Sequence, residues 1–346
     1  MIKFNSFKEK TVLNNPLNNF AEEMQTIEYR QDPLVGRWSR ININRAKRTH
    51  QAQNKGDSGE AVPKSCDTCF FCKANVERKT PEFPKKLKIG KRLKSGGAII
   101  FPNLFPFAKY HAVCTLSENH GAGLNEITAK NLEDALTASI KYIKAVYASD
   151  KKVKHASINM NFMPPAAASI IHPHLQIVCD SKPSTYEEQS YLKSKKYFKK
   201  TGKNYFEELA KTDKIRLVKS NKNAVWLAAF SPVLANEVIG TFLKKTTVMD
   251  LSESDIKTVA KEISGILNAL YALGARSANM SLFGAPLDEK SKHYTLHARI
   301  GMRPEMRANY STDKGFMEIF HEEAVISTIP EEVAANMKGE LNRKET

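Results

Sequence analysis

Long hydrophobic runs are missing from this 346-residue chain: no window of about eighteen consecutive apolar residues occurs, so no membrane-spanning helix is expected. The opening MIKFNSFKEK also lacks the apolar core of a secretory signal, and the expected location is the cytoplasm. Cysteine is scarce. There are five, an odd number, which does not suit a disulfide framework in a reducing compartment. Three of them (Cys66, Cys69, Cys72) crowd into one loop, while Cys114 and Cys179 lie in apolar, strand-like runs; this is metal-site usage. Acidic residues are outnumbered, 37 against 53 Lys and Arg, giving a net charge of +16. Such a field attracts polyanions such as nucleotides, sugar phosphates or nucleic acid. At 41% hydrophobic and 26% charged residues, the whole chain is neither disordered, collagenous nor coiled coil, and its length suits two domains or one large one.

Residues 1–27 are polar, rich in Asn and Lys and without period, and read as a loosely packed N-terminal arm. A strand, a Pro/Gly turn at 32–36 and a second strand around Trp38 to Ile43 follow, then the cysteine loop. From Ala98 the pattern becomes regular. AIIFPN and Tyr110 to Leu116 read as strands, and residues 125–147 as an amphipathic helix with Leu132, Leu136, Ile140 and Ile143 on one face. HASINMNF (155–162) and SIIHPHLQIV (169–178) read as two further strands. The order then repeats. Residues 237–249 read as strand, and 251–274 as a helix opened by Ser252 with Asp255 three residues on. SANMSLFGAP (277–286) and YTLHARIGM (294–302) close the copy, which suggests an internal duplication with HPHLQI facing LHARIG. Strand runs with segregated helices argue for an α+β fold, and the charged stretch 191–213 for a helical connector between the halves.

Alternation along a strand places His172, His174 and Gln176 of HPHLQ on one face, with Pro173 and Leu175 on the other. Pro173 removes a ladder donor and so pushes the segment to a sheet edge or a strand start. In SCDTCFFC, cysteines two residues apart are the half-site of a tetrahedral zinc, though three of them also leave an iron–sulfur cluster open. No fourth nearby cysteine is present for a cluster, and His120 and His172 are the candidates to complete a zinc shell.

Taken in order, DPLVGRW, NRAKR, CFFCKANVERKTPE, FPNLFPF, NMNFMPPAAASIIHPHLQ, LHARIGMRP and KGFME resemble galactose-1-phosphate uridylyltransferase and its relatives in the histidine triad (HIT) superfamily. The likeness runs from about residue 28 to 337. It implies tandem duplicated HIT-like lobes, each an antiparallel sheet with helices packed on it: a catalytic and zinc-binding lobe at 28–190, the connector 191–213 and a degenerate lobe at 214–346. It also implies that His174 is the nucleophile that takes a nucleoside monophosphate, and that Gln176 hydrogen-bonds a phosphate oxygen. Cys69, Cys72, His120 and His172 align with the family's Zn2+ ligands, leaving Cys66 spare. Arg45 and Arg48 correspond to phosphate-binding arginines, Asn103 and Phe105 to the nucleoside pocket, Asn161 to an active-site asparagine and Ser169 to a phosphate-contacting serine. Lys314, Phe316 and Glu318 of KGFME fall where relatives contact the sugar half from a neighbouring subunit, implying a homodimer.

Two departures bear on the substrate. Phe283 and Arg299 stand where uridylyltransferases have histidines of a second metal site, only His297 being kept, so no second metal is expected. Leu175 replaces the glycine between His174 and Gln176, as in diadenosine tetraphosphate phosphorylases; like ADP-sulfurylase, those relatives move AMP rather than UMP. The expected substrates are therefore a nucleotide-sugar or other nucleotide donor and a phosphate or sugar-1-phosphate acceptor. Nucleic acid is the competing partner, suggested by KKLKIGKRLK and YLKSKKYFKK, but no nucleic-acid module motif accompanies them.

Overall fold

A computed structural model describes residues 2–47, 67–305 and 312–343; Arg48 and Cys66 lie outside the described residues. Among the described residues no helix is long and apolar enough to cross a membrane. Two sheets form. The smaller joins β1 (Ser6–Asn15), β2 (Ala21–Gln31), β3 (Trp38–Ile41) and β14 (Ala324–Ile326). The larger has ten strands: β4 (Leu93–Ser95), β5 (Ala98–Pro102), β6 (Tyr110–Thr115), β7 (His155–Phe162), β8 (His174–Asp180), β9 (Leu217–Ser220), β10 (Ala224–Ala228), β11 (Ala235–Phe242), β12 (Ala278–Phe283) and β13 (His297–Met302). The helices are α1 (Lys73–Lys79), α2 (Ala129–Ser149), α3 (Thr185–Thr201), α4 (Tyr205–Thr212), α5 (Glu253–Ala272), α6 (Phe316–Ile319) and α7 (Pro330–Arg343).

In the ten-stranded sheet the order is β4-β5-β6-β8-β7-β12-β13-β11-β10-β9, antiparallel throughout. It is nearly a palindrome. The halves meet where β7 pairs with β12, Asn159 opposite Ser281, and each side then continues outward in the same order of elements. Thr115 opposes His174 in one half and Thr241 opposes His297 in the other. The same local bond recurs as well: the Nδ1–H of His174 donates to the His172 carbonyl (2.8 Å), and that of His297 to the Thr295 carbonyl (3.0 Å). His297 and Arg299 therefore hold the positions that His174 and Gln176 hold in the first half.

One face of this sheet is apolar because every second residue is. Ile158, Met160, Leu175, Ile177, Met280, Leu282, Ala298 and Ile300 are buried on it, under α2 and α5. Those helices present Leu132, Leu136, Ile140 and Ile143, and Ile256, Val259, Ile263 and Leu267. Each such side chain, fully buried, contributes about 1.5–3 kcal/mol. Ser252 caps α5 by accepting from the Asp255 N–H, and Thr128 caps α2 through Asn131. The opposite face carries the polar side chains. Over the second half it is covered by α3 and α4, with the Phe206 ring stacked 4.3 Å from His297 and Tyr186, Phe283 and Tyr294 around it.

Two local expectations change. The N-terminal stretch is not periodless arm but a β1–β2 hairpin in continuous register from Ser6 opposite Arg30 to Asn15 opposite Ala21. Both faces of its outer half meet solvent, so no burial period is written into it. The strand read at 169–178 begins only at His174; Ser169 to Pro173 approach it as loop. Pro173 has no N–H to donate, so the ladder starts after it, and β8 lies inside the sheet rather than at an edge. The shared-face argument therefore holds for His174 and Gln176, while His172 is oriented by the loop.

Candidate active site and metal-binding cluster

The cysteine loop is a tight knuckle. The Cys72 N–H donates to the Cys69 carbonyl, and the Asn75 side chain donates to the carbonyls of Asp67 (2.6 Å) and Cys69 (2.9 Å), so the asparagine of the motif clamps the turn. The knuckle brings Cys69 and Cys72 to His120 and His172, with all four ligand atoms within 4.8 Å of one another. Cys72 Sγ stands 3.4 Å from His120 Nδ1 and 3.7 Å from His172 Nδ1. His172 donates its Nε2–H to the Ser117 carbonyl (2.8 Å), which leaves Nδ1 as a lone pair facing the thiol. Burial drives the His172 pKa down to about 4 against the pull of that carbonyl. Two thiols and two imidazoles whose ligand atoms converge can hold a metal ion.

His174 opens β8 directly after this cluster. Its ring is buried, 6% exposed, and packs edge-on against Phe71 at 5.2 Å. Because Nδ1–H is committed to the His172 carbonyl, the proton sits on Nδ1 and Nε2 keeps its lone pair, which no described residue engages. Burial also lowers the His174 pKa, the carbonyl of His172 opposing it, so the imidazole is neutral at pH 7. A neutral imidazole with an uncommitted Nε2 is a nucleophile. Gln176 follows two residues on along the same face, half-buried, and its Oε1 lies 3.0 Å from His111 Nε2.

The remaining candidates are spread over several segments. Asn103 joins the His174 face from the end of β5, its Oδ1 accepting from the Phe105 N–H (2.9 Å) and its Nδ2 3.3 Å from His111 Nε2; the Phe105 ring is 82% exposed. Asn161, at the end of β7 beside β8, accepts from Asn279 Nδ2 (2.8 Å), and Asn279 accepts from Arg303, which forks onto Asp313. Ser169 is exposed in the loop before His172, and Arg45 is exposed on a 3-10 turn after β3. Lys314 and Phe316 are elsewhere. Lys314 donates to the Val233 carbonyl (3.0 Å) just ahead of β11, and its neighbour Asp313 accepts from Arg303. Leu175 is fully buried on the helix-packed face and cannot touch a ligand on the His174 side. His111 and Asn279 escaped the sequence reading; alternation along β6, which puts His111, Val113 and Thr115 on one face, was the available signal for the first.

No protein-family profile matches the chain. A protein of Archaeoglobus fulgidus described as uncharacterized is 28% identical over 318 residues, covering 91% of this chain and 93% of that protein. Among solved structures, an ADP-glucose phosphorylase from Arabidopsis thaliana with bound ADP-glucose superposes with a TM-score of 0.71 at 19% identity, over 90% of this chain and 98% of that one. A uridylyltransferase superposes with a TM-score of 0.67 at 18% identity, over 91% of this chain and 98% of its own. The chain has the α+β fold shared by ADP-glucose phosphorylase and the uridylyltransferases, over nearly their whole length.

Proposed function

We propose that this protein is a nucleotidyltransferase that moves a nucleoside monophosphate, UMP or AMP, from a nucleotide-activated donor to a phosphate or sugar-1-phosphate by way of a covalent nucleotidyl-His174. The observation that carries the reading is the state of His174: neutral, pinned through Nδ1–H to the His172 carbonyl and bare at Nε2 on the polar face of the sheet. In the first step Nε2 attacks the nucleotide's phosphorus; the N–P bond forms, and the P–O bond to the leaving phosphate or sugar phosphate breaks. In the second, an acceptor phosphate oxygen displaces His174 from the same phosphorus, so the imidazole ends as it began and the kinetics are ping-pong. Gln176 donates an amide hydrogen to a nonbridging oxygen, stabilising charge without supplying a proton, which favours transfer over hydrolysis.

Around that pair the reading assigns Asn161 to the active site, Ser169 to the phosphates, Asn103 and the exposed Phe105 to the nucleoside, and Arg45 and Arg48 to phosphate oxygens. The reading also assigns Lys314 and Phe316 to the sugar half of a partner's site in a homodimer. The chemistry belongs to the lobe 28–190, and the lobe 214–346 beyond the connector 191–213 supplies the aromatic-sealed counterpart. Zinc is the metal proposed for Cys69, Cys72, His120 and His172. With Zn–S near 2.3 Å and Zn–N near 2.0–2.1 Å, a tetrahedron has an S···N edge of about 3.5 Å; the 3.4 and 3.7 Å separations fit it. Bound there, zinc supplies structural cross-linking of the knuckle to the loop that carries His172.

Intact-protein mass after incubation with UDP-glucose, ADP-glucose, adenylylsulfate or diadenosine tetraphosphate, without acceptor, tests this. A UMP or AMP adduct on the wild type and none on His174→Gly is the expected result, and the donor that labels identifies the base. Metal-loaded protein that no donor labels refutes the reading.

A further inference from the structure

Gln176 can serve a phosphate only if its amino group, and not its carbonyl oxygen, faces that phosphate, and an amide side chain has no intrinsic preference between the two. Something must choose. His111 lies on β6, one diagonal step from Gln176: Val113 is directly opposite Gln176, and His111 is two residues along the same face. Its Nε2 is 3.0 Å from Gln176 Oε1. Its Nδ1 is buried and has no hydrogen-bond partner among the described residues, and the residue is 4% exposed under the Phe107 ring at 4.2 Å.

We propose that His111 is a positioning residue that holds the Gln176 carboxamide in its donor-outward orientation, a role that rests on the nucleotidyl-transfer reading of His174. A proton on Nδ1 would be a buried donor with nothing to accept it. The single proton of the neutral ring therefore sits on Nε2 and is donated to Gln176 Oε1. With its oxygen held, the amide turns its NH2 toward the space beside His174. Asn103 Nδ2 also approaches Nε2, at 3.3 Å, but a bare Nε2 that accepted from it would strand both the Gln176 oxygen and the proton moved to Nδ1. Burial lowers the His111 pKa, the Gln176 hydrogen bond opposing it, which keeps the ring in its one-proton form.

The second half of the molecule uses the same two positions for a cross-strand pair. Ile239 opposes Arg299, and Glu237, two residues along, bonds the Arg299 guanidinium at 2.5 Å. In both halves the residue on the outer strand thus dictates the direction of the side chain two places after the histidine. One half makes an ion pair of it and the other a neutral hydrogen bond.

The test is single-turnover formation of nucleotidyl-His174 with whichever donor labels the wild type, measured for His111→Leu and His111→Gln in the wild-type and Gln176→Met backgrounds. Loss of an anion-stabilising donor costs roughly 10²–10³ in rate, and a Gln176 left free to turn forfeits part of that. His111→Leu should slow the maximal rate about tenfold at nearly unchanged donor affinity. His111→Gln, whose amide can present an N–H where Nε2–H stood, should recover most of the loss. In the Gln176→Met background His111→Leu should change nothing further. Equal slowing in both backgrounds, or none in either, overturns the proposal. The histidine ring 15N shifts of the unliganded wild type give a donor-free readout. A protonated Nε2 on His111 supports the assignment and a protonated Nδ1 overturns it, even if no donor labels His174 and the transferase reading itself falls.

Discussion

Glu237→Gln should cost the protein far more than a one-atom change suggests. Arg299 is enclosed in the second half, its side chain 11% exposed and that of Glu237 2% exposed, and the two are joined at 2.5 Å. Burial pushes the Arg299 guanidinium toward losing its proton, and the Glu237 charge outweighs it and raises the pKa well above the usual value. Removing the carboxylate leaves a buried guanidinium with one nitrogen, Nη2, already without a partner among the described residues, and sets the new amide NH2 of residue 237 against a donor. Breaking one side of a buried pair costs about 3–5 kcal/mol. At about 2.1 cal/mol/K of unfolding entropy per residue, a chain of 346 residues loses roughly 4–7 °C of Tm. Replacing both partners, Glu237→Gln with Arg299→Met, removes the stranded charge and should return most of the loss. Differential scanning calorimetry of the two single variants and the double variant measures this. A Glu237→Gln Tm within about 1 °C of wild type, or a double variant less stable than either single, would refute the claim that an uncompensated buried charge is the cause.

Three further outcomes follow from other parts of the chain. Glu331 accepts from the two terminal guanidinium nitrogens of Arg30 (2.9 Å each) and from Arg216 (2.9 Å); burial raises its pKa, but these bonds outweigh it and lower the carboxyl below its usual value. Its stabilisation is thus complete above the unfolded carboxylate pKa and lost as pH falls through the lower folded one. The Tm gap between wild type and Glu331→Gln should be clear at pH 7 and shrink through the acid range, and a gap that widens on acidification contradicts the assignment. Gly240 on β11 leaves room for the Trp226 ring of β10, which a Cβ would meet at 2.5 Å. Gly240→Ala should destabilise by about 1–3 kcal/mol in urea denaturation, and a neutral result would show that the indole moves freely. Cys72→Ser should abolish stoichiometric metal and lower Tm, with chelator lowering the wild-type Tm but not the variant's. Equal chelator sensitivity of the two proteins would move the metal off this cluster.

Much of the site is legible in residue order because its logic is local. The repeat of two along HPHLQ puts His174 and Gln176 on one face and Leu175 on the other, and β8 obeys it. The substitution at Leu175 looks from the sequence like a clue to the base, yet the side chain packs under α2 and α5, where it reads the core and not the ligand. His172 is the opposite case. Alternation assigned it to the strand, but Pro173 ends the ladder and the Ser117 carbonyl, distant in sequence, sets which nitrogen of its ring faces Cys72. The β1–β2 hairpin was illegible because neither face of its outer half is buried, so no apolar period marks it.

Residue order carries the α+β class, the two capped helices with their apolar faces, the duplicated order of elements and the paired cysteines of the knuckle. Each is written in neighbours a few residues apart, through helix and strand periodicity, cap chemistry and the spacing of a turn. Only the tertiary structure decided which strands lie side by side. It joined the two halves into one sheet through β7 and β12, set His111 against Gln176, and made of the equivalent Glu237 and Arg299 a sealed ion pair. Strand partners are chosen by the burial of whole faces and the pairing of distant backbones, an energy summed over the molecule that no short stretch of residues contains.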